Sequence, residues 1–196
     1  MLVGFFFFPS KTNVSDLFIA YLEKMSGLLE SIFCSPEPPK TRVASQYLTA
    51  DLHRIKKAAL TIRLELLFHR LNTFDFYSLL NNIESSTQWM CNLMASYRWL
   101  FPLLSAEELK MVRTAAKGAQ GNIAVIIRTL RKEKHSRMLP SMHVSDMIKK
   151  IIEDEPNHFA KLESSALGFY SLMFFFSKFH TDLREIGTLI QYEQKL

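Results

Sequence analysis

From Phe159 to Ile190 an apolar side chain returns every three or four residues: Phe159, Leu162, Ala166, Phe169, Leu172, Met173, Phe176, Phe179, Leu183, Ile186 and Ile190. This is the spacing of one buried stripe on a helix, kept for some ten turns with no proline inside it. At about 1.5 Å per residue, a helix from Asn157 to about Gln194 is on the order of 55 Å long. A stripe with this period cannot present one face as a strand, so the fold must be built from helices that cover it.

Upstream, the same period recurs. Val14, Leu17, Phe18, Tyr21, Leu22, Met25, Leu28, Leu29, Ile32 and Phe33 predict a first helix, stopped at Ser35-Pro-Glu-Pro-Pro-Lys, where prolines remove backbone donors. A second helix is expected over about 44–71, and a short break at Asn72-Thr73 suits an antiparallel return. A third, capped by Asp75, carries Ile83, Met90, Leu93, Met94 and Tyr97 before Pro102. Ser105-Ala-Glu-Glu108 has the capping-box pattern and starts a fourth helix at Ala106, weakened by Gly118 and Gly121. A short helix over 146–154 precedes the long last one. With 6 glycines in 196 residues and 48% hydrophobic against 22% charged residues, the expectation is an all-α, antiparallel bundle of about five or six helices with a long C-terminal helix.

The bundle domain is expected to span 10–196, because residues 1–9, MLVGFFFFP, have a different character. Eight apolar residues fall far short of the roughly 20 a helix needs to cross a bilayer. No basic region precedes the run and no small-residue cleavage site follows Phe8, so a secretory signal fits poorly. Phe5, Phe6, Phe7, Phe8 and Pro9 read as the end of a truncated transmembrane helix, with Lys11 at the membrane junction on the cytoplasmic side. On that reading the sequon Asn13-Val14-Ser15 is accidental, and two cysteines without metal-like spacing fit a reducing compartment.

The stretch GFFFFPSKTNVSDLFIAYLEKMSGLLESIF resembles the junction in the fusaric acid resistance and aromatic acid exporter family, where the final membrane helix ends in an apolar-proline signature and continues into a long amphipathic helix. The resemblance extends over the helical remainder, including the aromatic-rich last helix, Ala166 to Ile190. It implies a cytoplasmic domain of an exporter of aromatic acids or related toxic compounds, at the cytoplasmic face of the bacterial inner membrane, with periplasmic partner proteins. Its own part would be assembly or regulation, with the membrane reached through an upstream segment. The chain departs from the family in lacking a complete membrane helix, which excludes transport by this chain alone. The alternative is a stand-alone soluble cytoplasmic adaptor or effector that works through protein contacts, with Val3 to Phe8 packed into its core.

Three groups of residues are candidates for such contacts. Arg128, Arg131, Lys132, Lys134 and Arg137 form the densest basic run; they suit anionic headgroups, or the C-terminal end of a helix dipole running into a solvated loop. Phe169, Tyr170, Phe174 and Phe175 cover more than one face of the last helix, so they are core, or a contact for partner helices or a second copy. The third group is the membrane junction at Phe5 to Lys11. The net charge of +5 is too small to suggest nucleic acid without a motif, and Gly118-Ala-Gln-Gly121 matches a GxxG clamp only superficially. The six histidines lack HExxH or i,i+4 pairing; His69 and His180 read as core-edge or surface residues. Glu153-Asp154-Glu155 reads as a solvated terminus. No enzyme activity, cofactor or metal is expected.

Overall fold

The computed structural model describes residues 14–34, 42–66, 73–131 and 163–193, together with 133, 149 and 153. The expected membrane junction, Phe5 to Lys11, lies outside the described residues, as does most of the short helix expected over 146–154. Among the described residues the fold is all-α: α1 is Val14–Leu29, α2 Arg42–Leu66, α3 Thr73–Leu100, α4 Ala106–Leu130 and α5 Glu163–Glu193. The long last helix is 31 residues, about 46 Å at the standard rise.

The main packing closes the five helices into a ring: α1 lies on α2 and α4, α3 on α2 and α5, and α4 on α5. Directions follow from the side chains that meet. Leu100 lies against Gly168 and Trp89 against Phe174 and Phe175, so α3 and α5 are antiparallel. Gln120 donates to the Ser26 carbonyl at 3.1 Å and Arg131 pairs with Glu23 at 2.6 Å, so α1 and α4 are antiparallel too. Because α4 also reverses directly from α3, α4 and α5 run the same way within an otherwise antiparallel bundle.

Helix ends follow the local chemistry. The capping box is complete: Glu108 N–H donates to Ser105 Oγ at 3.2 Å, and Ser105 N–H donates to Glu108 Oε2 at 2.7 Å. α3 ends where Pro102 turns the chain through a 3-10 turn, Phe101–Leu103. The regular first helix expected through Phe33 ends at Leu29 instead, and a π-helical turn, Glu30–Cys34, takes its place. In a regular helix the adjacent Ile32 and Phe33 diverge by about 100°; the wider turn carries both into the interior. Phe33 then sits 4.7 Å from Tyr97 and 5.1 Å from Phe176, ring centre to ring centre, at the middle of the apolar core.

Two glycines have opposite surroundings. A Cβ on Gly168 would lie 2.3 Å from Leu100 Cδ2, so glycine is what lets α3 and α5 approach here. A Cβ on Gly27, exposed in the last turn of α1 before the π-helical turn, would meet nothing within 4 Å. Gly27→Ala is therefore expected to stabilise the fold by about 0.5–1 kcal/mol, through reduced backbone freedom in the unfolded chain. Urea midpoints of the two proteins measure it; an unchanged or lower midpoint refutes it.

Candidate functional site on the α3–α5 seam

The aromatic residues of the last helix divide by face. Phe169 is fully buried, with Leu172, Met173, Phe176 and Phe179, and belongs to the core; it offers nothing to a partner. Tyr170 is half-buried, and burial raises its phenol pKa. Phe174 is 50% exposed and Phe175 half-buried. Leu167, 70% exposed, is seven residues before Phe174, two turns along the same face and about 10 Å away.

Helix α3 supplies the other bank. Trp89 is half-buried, with its ring 6.1 Å from Phe174 at 89° and 5.9 Å from Phe175 at 29°. Phe174 and Phe175 are themselves 6.1 Å apart at 62°. Three rings thus meet in a corner, in the edge-to-face and offset arrangements that aromatic quadrupoles favour. Further along α3, Trp99 is 75% exposed; it precedes Leu100, whose side chain meets Gly168 of α5, and Leu167 precedes that glycine. Arg98 lies 5.8 Å from the Trp99 ring centre. Leu103, also exposed, continues the apolar surface past the end of α3.

A polar group adjoins Trp89. Trp89 Nε1 donates to Ser85 Oγ at 3.0 Å, one helical turn away, and Asp182 of α5 faces both residues. Burial pushes the Asp182 carboxyl pKa up; hydrogen bonds from Ser85 and Trp89 and the charge of Lys178 work against it, and the Glu185 charge works with it. One of its oxygens, Oδ2, is buried with no hydrogen-bond partner. The Lys178 ammonium, one turn before Asp182, lies 5.5 Å from the centre of the Phe174 ring. The seam therefore combines exposed apolar anchors, electron-rich ring faces and an incompletely satisfied carboxylate.

The basic run is not assembled in the same way. Arg128 is exposed, but the Arg131 guanidinium is engaged by Glu23 of α1, and Lys132, Lys134 and Arg137 lie outside the described residues. No group of three metal-ligating side chains occurs among the described residues, and no described helix is long and apolar enough to cross a membrane. Histidine 180 departs from its expected edge position: it is 2% exposed, Nε2 donating to the Ala115 carbonyl at 3.0 Å and Nδ1 lying 3.4 Å from the Asn122 amide nitrogen. His69 lies outside the described residues.

Sequence reasoning found Phe174 and Phe175 because they crowd a helix already provided with a core stripe. It missed Trp89, Trp99, Ser85 and Asp182. Both tryptophans fall off the apolar stripe of α3, and a large ring outside the stripe was the available signal. Asp182 carried none, since only the third dimension brings it beside Trp89. No known protein family, curated protein or solved structure matches the chain.

Proposed function

We propose that this chain is a helical-bundle interaction module whose working surface is the outer α3–α5 seam. The observation that carries this reading is the exposure of Trp99 on α3 and of Leu167 and Phe174 on α5, three large apolar side chains at least half exposed on two helices packed together. Their joint exposure is on the order of 400 Å², the scale of a functional patch, and about half of the ~800 Å² per partner that a standard interface buries. That is too little for a stable dimer and suits a single amphipathic helix laid along the seam, with anchors two turns apart.

A photo-crosslinking residue placed at Leu167, at Trp99 and, as an off-seam control, at exposed Glu107 tests this in native cells. The two seam positions are expected to label one helix-period apolar segment of one protein, and position 107 to label none. Labelling of lipid or of a second copy, no labelling, or equal labelling from position 107 overturns the reading.

One observation favours a second reading, a cytoplasmic assembly domain of an aromatic acid exporter. The start of α1 and the exposed Arg128 near the end of α4 lie towards the same end of the bundle, as the antiparallel packing of α1 on α4 requires. A bundle entering from a membrane at Val14 would then hold cationic side chains near anionic headgroups, where each contributes about 1 kcal/mol. An immunoblot of fractionated cells tests it. A band well above 22.7 kDa that stays with the inner membrane after a salt wash supports it, and a soluble band at that mass overturns it.

A further inference from the structure

We infer that the corner formed by Trp89, Phe174 and Phe175, with the Asp182 carboxylate beside Trp89, is a binding site for an alkylated ammonium cation. Ring faces carry negative potential and attract a weakly hydrated cation within about 6 Å of their centres. Here three rings stand about 6 Å from one another in two orientations, so a cation lodged in the corner meets more than one ring. A sodium ion is held too strongly by water to enter such a surface, whereas an ammonium bearing methyl groups fills it with apolar contact. The Asp182 carboxylate beside Trp89 supplies negative charge, and its buried Oδ2 has no hydrogen-bond partner, which is what a purely structural acid in a helix seam would not retain.

The chain already places a cation on one of the three rings. Lys178 Nζ lies 5.5 Å from the Phe174 ring centre, and its charge acts on Asp182. Lys178 is exposed and is held in that position by no carboxylate contact among the salt bridges of the described residues. It therefore competes with an incoming cation for the Phe174 ring. The docking reading uses the same seam, but the cation site does not require it: a protein can bind the cation and dock nothing, or dock a helix and bind no cation.

The test uses the full chain carrying Trp99→Phe, so that Trp89 is the only tryptophan. Its fluorescence is titrated with tetramethylammonium chloride against sodium chloride at equal ionic strength. A saturable change with the organic cation alone is expected. Phe174→Ala is expected to weaken the apparent affinity at least tenfold, Asp182→Asn at least threefold, and Lys178→Met to tighten it at least threefold. Choline chloride and an acetylated trimethyl-lysine amide, titrated alongside, distinguish a free metabolite from a modified side chain by which binds more tightly. A linear response equal to that of sodium chloride, or one unchanged by Phe174→Ala in a protein whose circular dichroism is intact, overturns the assignment. Tetramethylammonium binding lost while crosslinking from Leu167 persists disproves the cation site and spares the docking surface.

Discussion

Phe176→Ala is expected to remove about 3–5 kcal/mol of folding stability, the range for truncating a buried Phe. The ring is fully buried and packs edge-on to Phe33 at 5.1 Å, and Phe33 in turn packs on Tyr97 at 4.7 Å. One side chain therefore ties α5 to the π-helical turn after α1 and, through it, to α3. The cavity left behind cannot collapse easily, because its walls belong to three elements that are each held by other contacts. A loss of this size is a large part of the 5–15 kcal/mol typical of a domain. Urea denaturation followed by circular dichroism measures it; a loss below about 1 kcal/mol would mean that α5 does not pack on the turn as described. Phe174→Ala, two residues earlier on the exposed face, is expected to change stability far less, and the contrast between the two separates core from surface on one helix.

That contrast also marks how far the sequence could be read. The all-α class, the long last helix and the start of α4 at Ala106 followed from period and capping chemistry, both of which act within a few residues. The boundary at Leu29 did not, because the π-helical turn satisfies a tertiary demand: it brings Ile32 and Phe33 into a core whose other walls, Tyr97 and Phe176, are 64 and 143 residues further along the chain. Parallel α4 and α5 were equally hidden, since helix order in a bundle depends on which faces find cover and not on local pattern. At the candidate site, crowding identified Phe174 and Phe175 from the sequence alone. Phe169 shares that crowding but points inward, and no count of aromatics separates the two faces without the stripe of Leu172, Met173, Phe176 and Phe179 to set the direction. Asp182 reads as an ordinary solvated carboxylate until α3 is laid beside it.

Histidine 180 shows the opposite relation, a polar residue placed by the core itself. Its imidazole is buried between α4 and α5 in the Nε2–H tautomer, because the Ala115 carbonyl can only accept and Nδ1 is left to accept from the Asn122 amide. Burial holds its pKa below the ordinary 6.5, and the Ala115 hydrogen bond offsets this in part. The unfolded chain therefore binds the proton more readily than the native one, and stability must rise with pH across the interval between the two values. The contribution is fully present above about pH 6.5 and is lost as pH falls through the lowered native value. His180→Ala removes two hydrogen bonds, worth about 1 kcal/mol each, and opens a cavity, so a loss of roughly 3 kcal/mol is expected at pH 8. The loss should shrink as pH falls from 6.5 towards 5, because the native imidazole of the wild type is by then resisting a proton that its unfolded state accepts. His180→Gln keeps both a donor and an acceptor and cannot titrate, and is expected to lose less at pH 8 and to gain on the wild type towards pH 5. Urea midpoints for the three proteins between pH 8 and 5 decide the point: parallel curves would mean that His180 titrates alike in the native and unfolded states, and that the contact between α4 and α5 is not sealed by a neutral ring.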